Sequence, residues 1–182
     1  CPLRCGYCDT AYAFTGGETL SLSAILEKLA AQGSPYVCVT GGEPLAQKHC
    51  PTLLVALCDQ GYSVSLETSG ALDISVVDPR VARIVDIKTP GSGEVEKNRW
   101  ENLALLRSTD EIKFVLQNEA DYRWAKTILR EYDLAKHCPV LFSPVHESLP
   151  PRQLAEWILH DKLPVRMQVQ LHKYLWDNAA GH

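Results

Sequence analysis

No stretch of about 18 consecutive apolar residues occurs in the sequence, so it offers no helix built to cross a bilayer. Basic residues are not in excess. The 18 Lys and Arg stand against 22 Asp and Glu, a net charge of −4, so the broad positive field that favours nucleic acid is missing. There is no secretory signal pattern at the start, no internal repeat, no low-complexity tract and no linker-like stretch. Nor is there a disulfide framework: the 7 cysteines are odd in number and irregularly spaced, as expected of a reducing cytoplasm. A second C-x2-C pair, common in four-ligand structural zinc sites, is also lacking. What remains is a chain of 182 residues, 46% hydrophobic and 22% charged, that reads as a single soluble globular domain over 1–182.

The cysteines that are present concentrate at one end. Cys1-Pro2-Leu3-Arg4-Cys5-Gly6-Tyr7-Cys8-Asp9-Thr10 sets three thiols in a C-x3-C-x2-C pattern. Thiolates are soft ligands, suited to iron–sulfur clusters or zinc. Three on one loop can hold three corners of a cubane 4Fe–4S cluster and leave the fourth iron open to a small molecule. Zinc and simple packing are the alternatives. The chain opens on a proposed ligand, whereas such a loop normally follows a strand that positions it. The expectation is that an N-terminal strand is missing.

Downstream, strands and helices alternate. Leu22, Ile25, Leu26 and Leu29 repeat at helical spacing before Gly33, and Leu53, Leu54, Leu57 and Cys58 do so before Gly61. Strands are expected at Tyr36 to Thr40, Ser63 to Glu67, Arg83 to Lys88, Glu111 to Leu116, Val140 to Phe142 and Arg166 to Leu171. Helical turns are expected at Trp100 to Arg107, across Tyr122, Ala125, Leu129 and Tyr132, and across Leu154, Trp157 and Ile158. Strands separated by helices imply a largely parallel sheet with right-handed crossovers. Ligands of such sheets gather at the carboxyl ends of the strands. The distinctive polar runs fall there: Thr40-Gly41-Gly42-Glu43, Glu67-Thr68-Ser69, Asp86 to Thr89, Ser143 to His146, and Gln170 to Lys173. Each by itself is also compatible with turn chemistry. The same holds for Gly41-Gly42-Glu43-Pro44, whose glycines permit close backbone approach. It holds too for Asp9-Thr10, whose oxygens suit Mg²⁺, a hard cation.

The cysteine spacing, with the aromatic Tyr7 before the last thiol, resembles the radical S-adenosylmethionine (SAM) superfamily, and Gly41-Gly42-Glu43-Pro44 looks like its GGEP motif. Cys8-Asp9-Thr10, Val39 to Pro44, Glu67 to Gly70 and Gln170-Leu171-His172-Lys173-Tyr174-Leu175 narrow the resemblance to the 7-carboxy-7-deazaguanine synthase family, from Cys1 to about Trp176. That resemblance implies an incomplete (β/α)6-type radical SAM barrel. It implies a carbon–nitrogen lyase of queuosine biosynthesis that converts 6-carboxy-5,6,7,8-tetrahydropterin to 7-carboxy-7-deazaguanine with loss of ammonia. It further implies a 4Fe–4S cluster, SAM, Mg²⁺, a homodimer and a flavodoxin-like or similar electron donor.

Residue by residue, Cys1, Cys5 and Cys8 match the cluster ligands and Thr10 the Mg²⁺ ligand. Tyr7, Cys8, Asp9, Gly42, Glu43 and Lys88 match positions along SAM, as do Ser143, Pro144, Val145 and His146. Thr40 and His172 match substrate contacts, and no side chain is carried over as catalytic. Ile87-Lys88-Thr89-Pro90 departs from the Ser-Pro-Lys of other branches, and Ser143-Pro144-Val145-His146 from their Gln-Pro. The family's Gln, Glu and Arg substrate contacts precede the cluster loop. The family's terminal carboxylate contact is not carried over, because the chain runs on through Asp177 to His182. Two other readings share parts of this pattern: a glycyl-radical enzyme activase and a small zinc-binding interaction domain. Cys38, Cys50, Cys58 and Cys138 are expected to pack. Trp100, Trp124 and Trp157 suit the core, His49, His137 and His160 suit the surface, and Lys97 to Arg99 suits a solvated face.

Overall fold

Ser21 and Gly33 bracket the first helix for clear local reasons. The Ser21 hydroxyl accepts the Ala24 backbone N–H at 3.2 Å, and Gly33 ends the helix in the left-handed region at φ 69°. In the computed structural model, which describes residues 1–176 and Ala179, helix α1 is Leu22–Gln32. The other helices are α2 (Cys50–Asp59), α3 (Glu119–Glu131), α4 (Pro151–Asp161) and α5 (Leu171–Leu175). Apart from Ala179, the run from Asp177 to His182, for which no terminal contact is expected, lies outside the described residues.

The strands are β1 (Tyr36–Val39), β2 (Ser63–Thr68), β3 (Ala82–Asp86), β4 (Glu111–Leu116), β5 (Val140–Pro144) and β6 (Arg166–Met167). They form one sheet in sequence order, every pairing parallel. Strands β1 and β6 are its two edges, so the sheet is open, as the incomplete barrel requires.

Successive strand residues face opposite sides. Ile112, Phe114 and Leu116 of β4 and Val140 and Phe142 of β5 point to the helices and join residues of α3 and α4 in one core. A second core joins Leu54 and Leu57 of α2 with Val64, Leu66 and Val85 of β2 and β3. The alternate residues, such as Glu67, Asp86, Lys113 and Ser143, are left for the concave face. A buried ionic knot ties β3 to the turn before β4. Asp110 accepts from the Arg83 guanidinium at 2.5 Å and from Arg107 at 3.0 Å.

Two expectations change, and the short helix expected at Trp100 to Arg107 takes the 3-10 form. The alternation Arg166 to Leu171 suggests a long strand, yet β6 covers two residues and Leu171 begins α5. The ladder continues only as far as Gln168, whose N–H donates to the Phe142 carbonyl at 3.0 Å. Cys38 is exposed, because its strand is an edge. The stretch 100–107 is a 3-10 helix, Trp100–Leu105, with Trp100 stacked on Tyr132 at 5.1 Å.

Candidate active site

The cysteine loop has no regular structure of its own and is held by its neighbours. The Gly6 N–H donates to the Ser92 carbonyl at 2.9 Å, and the Arg4 N–H donates to Glu94 Oε1 at 2.6 Å. Ser92 and Glu94 belong to a tight turn after β3. The Ser92 hydroxyl donates to the Thr89 carbonyl at 2.6 Å and accepts the Glu94 N–H at 3.0 Å. That turn is anchored by Asp121 of α3, which is 1% exposed and accepts the Gly91 N–H at 2.7 Å and the Gln117 N–H at 3.0 Å. A Cβ at Gly91 would overlap this carboxylate, so the contact requires glycine.

On the other side lies the turn after β1. A Cβ at Gly42 would overlap the Cys1 side chain, so the glycine backbone packs directly on the first cysteine. The neighbouring Glu43 is 4% exposed. Its carboxylate accepts from the Leu45 N–H at 3.0 Å, the Thr68 hydroxyl at 2.9 Å, the Ser69 N–H at 2.7 Å and the Ser69 hydroxyl. Glu43 therefore works as an internal strut between the ends of β1 and β2, with its oxygens already engaged.

A cavity of about 1010 Å³ opens between these walls at the carboxyl ends of the strands. It brings together Cys1, Cys5, Tyr7, Cys8, Asp9, Thr10, Thr40, Gly42, Glu43, Lys88, Ser143, Val145 and His172. Pro144 and His146 fall outside it. They line a small neighbouring crevice that shares Val169 and Gln170 with the cavity, where His146 meets Tyr174 edge-on at 5.8 Å.

The floor is charged. Lys88 Nζ donates to Asp86 Oδ2 at 2.7 Å, and its backbone is gripped both ways by Asn98 at 2.8 Å. Burial works against the Lys88 charge, but Asp86 outweighs it and raises the pKa above the usual lysine value. Burial also raises the Tyr7 phenol and the Cys5 thiol. Lys113 pairs with Glu67 at 3.4 Å. At the rim, Asp9 accepts from the Thr10 hydroxyl at 2.8 Å, from Gln170 at 2.6 Å and from Lys173 at 3.2 Å. Burial pushes Asp9 up, yet these three partners hold it below the ordinary aspartate value.

Sequence reasoning named neither Lys113, Asp121, Glu94 nor Asn98. Lys113 has a detectable signal, a lone cation at an inward position of a strand. The other three act on backbone atoms far away in sequence, and Asn98 sits in a stretch that reads as a solvated face.

Two tests bear on whether these residues suit a cluster with a bound small molecule. First, the thiols of Cys1, Cys5 and Cys8 are free and share one cavity. A cubane takes its thiolates on different irons, and three free thiols on one loop lining one cavity suit it. Second, the cavity region holds buried polar atoms with no partner among the described residues, Tyr7 Oη and Asp86 Oδ1, as a site shaped for a polar ligand would. The residues fit.

Similarity to known proteins points the same way. The family model described as the radical SAM superfamily matches residues 1–87. A 7-carboxy-7-deazaguanine synthase of Chlorobaculum tepidum is 47% identical over 99% of this chain and 83% of that protein. One from Koribacter versatilis is 40% identical over 97% of this chain and 84% of its own. The crystal structure of QueE from Escherichia coli superposes with a TM-score of 0.72 at 21% identity, covering 93% of this chain and 81% of that one, which speaks to the fold. On a cysteine loop packed against its glycine turn, and on identity of this extent, the chain belongs to the 7-carboxy-7-deazaguanine synthase family of radical SAM enzymes.

Proposed function

We propose that the chain converts 6-carboxy-5,6,7,8-tetrahydropterin to 7-carboxy-7-deazaguanine with loss of ammonia, using SAM, a 4Fe–4S cluster and Mg²⁺. The observation that carries this reading is the packing of Gly42 on Cys1, which joins the cluster loop and the GGEP turn into one wall of a polar cavity. When bound, the cluster and SAM supply a carbon-centred radical able to take hydrogen from the substrate.

The chain's own residues bind, orient and exclude water. Cys1, Cys5 and Cys8 hold the cluster. Gly42 lets the turn backbone approach the ligand, and Glu43 fixes the turn by occupying four donors from Leu45, Thr68 and Ser69. Tyr7, Asp9 and Lys88 line the SAM side, together with Ser143 and Val145. Thr40 and His172 face the substrate space, where Lys113 adds a cation suited to a carboxylate.

Thr10 is the Mg²⁺ ligand in this reading. Its hydroxyl gives its one hydrogen to Asp9, which leaves oxygen lone pairs for a hard cation. The enzyme acts as a homodimer in the cytoplasm, fed by a flavodoxin-like or similar donor. Anaerobic, cluster-loaded protein supplied with the carboxypterin, SAM, Mg²⁺ and a reductant is expected to release carboxydeazaguanine. Cleavage of SAM without that product would count against the assignment.

A further inference from the structure

The segment under the cysteine loop suggests a residue that tunes the cluster as well as supporting it. Glu94 is half-buried and sends Oε1 to the Arg4 backbone N–H at 2.6 Å. Arg4 lies between the proposed ligands Cys1 and Cys5, and its guanidinium Nη1 donates to the Cys1 and Leu3 carbonyls at 2.7 Å each. The Glu94 backbone is pinned by Ser92, whose carbonyl also receives the Gly6 N–H. Through Gly91 the same turn rests on the buried Asp121. The carboxylate is thus fixed against the loop at one end and tied into the fold at the other.

We propose that Glu94 is a positioning residue for the cluster and sets its reduction potential. This rests on the cluster reading of Cys1, Cys5 and Cys8. Two effects follow from one side chain. By capturing the Arg4 N–H, the carboxylate fixes which way the loop backbone faces, and amide groups directed at cluster sulfurs are a main lever on cluster potential. By placing a negative charge beside the cluster, it opposes the electron that reduction adds. In that one-electron step the cluster gains the electron and an external reductant loses it, with no bond made or broken in the protein.

Three variants of the full chain separate these effects: Glu94→Gln, Glu94→Ala and Glu96→Gln. Glu96 is exposed and two residues away, so Glu96→Gln removes the same net charge from a position that, among the described residues, makes no hydrogen bond or ion pair with the loop. The readouts are the iron content of reconstituted protein, EPR-monitored titration with dithionite in the absence of SAM, and the rate of iron loss to a chelator. Glu94→Gln keeps an acceptor for the Arg4 N–H. It is expected to hold parental iron and to shift to a less negative potential. Glu94→Ala is expected to show a shift of the same sign and faster iron loss, and Glu96→Gln to match the parent.

If Glu94→Gln loads its cluster and titrates with the parent, the charge does not set the potential and the proposal is overturned. An equal shift in Glu96→Gln would also overturn it, by tracing the effect to net charge alone. If the parent itself binds zinc and no iron, the cluster reading fails first, and that outcome is distinct from both.

Discussion

The two flanks of the sheet are built to different standards. Around β4 and β5, Phe114, Phe142, Ile112 and Leu116 are wholly buried, and α3 and α4 press on them with Tyr122, Leu129 and Leu154. At the other edge α1 contributes no buried residue, and Tyr36 of β1 is 75% exposed. Yet the site draws on both. The dense flank supplies Asp121, the anchor under the cysteine loop, and the thin flank supplies the glycine turn that covers Cys1. The difference shows how a site can be held firmly by elements that are themselves lightly packed. Glu43 passes the position of the β1 turn to β2, which is buried on its helix side, so the turn borrows its rigidity.

That contrast makes unequal predictions for equal truncations. Phe142→Ala is expected to cost about 3–5 kcal/mol, since a large buried ring leaves a cavity that a close-packed core cannot fill. Leu26→Ala on α1 is expected to cost about 1 kcal/mol, because that side chain is only partly covered. Urea unfolding of both variants measures this, and equal costs would erase the distinction between the flanks.

Next in size is the seam between the two cores. Burial raises Asp110, but Arg83 and Arg107 override it and lower its pKa to about 2. An unfolded aspartate titrates at about 3.9. The folded pKa is therefore the depressed one. Its stabilising contribution is complete above about pH 4 and is lost as pH falls toward about 2. The shift corresponds to a contribution on the order of 2 kcal/mol. The check is urea unfolding across pH 2 to 6, in which Asp110→Asn should flatten the acid limb. A parent whose stability does not fall in that window would show that the knot carries no such linkage.

How far the sequence disclosed all this depends on the range of the interaction. Five of the six strands lie at or within two residues of their expected ends, because apolar runs bounded by Gly, Pro or polar turns are local signals. The last strand was harder to read. Val169 and Leu171 continue an alternation that looks like a strand, but Gln170 is drawn to Asp9, which lies 161 residues earlier, and a short helix follows. The cavity residues were legible because most of the polar runs sit at strand ends, and a parallel sheet collects those ends on one side. The supports were not. Asp121 reads as an ordinary helix-start acid, which it also is, and nothing local marks it as the anchor of Gly91. Cys38 reads as a packing cysteine until the sheet order makes its strand an edge.

Gly91→Ala tests whether the dense flank governs the cysteine loop. Its new methyl would overlap the Asp121 carboxylate, and Asp121 is too buried to move freely. The expected loss is about 1–3 kcal/mol of stability. The reconstituted variant should also release iron to a chelator faster than the parent, because Ser92 and Glu94 shift with Gly91. Loss of stability with parental iron retention would mean that the turn and the loop are mechanically independent.

The smallest effect on the fold is expected at Thr10, where the function should change most selectively. Among the described residues the hydroxyl hydrogen-bonds to the Asp9 carboxylate, and Asp9 keeps Gln170 and Lys173 when the hydroxyl is removed. Thr10→Ala should therefore leave the unfolding midpoint within about 0.5 kcal/mol of the parent, with cluster content and SAM binding nearly intact. Mg²⁺ favours octahedral oxygen ligands and keeps several waters, so one protein hydroxyl with substrate carboxylate oxygens would complete its shell. Held two residues from Cys8, the ion would orient the substrate carboxylate and offset charge that develops during rearrangement. Activity measured against Mg²⁺ concentration is the check. In Thr10→Ala the maximal rate and the Mg²⁺ activation should fall together. A variant that keeps the parental activation curve would reduce Thr10 to a turn residue and place the ion elsewhere in the cavity.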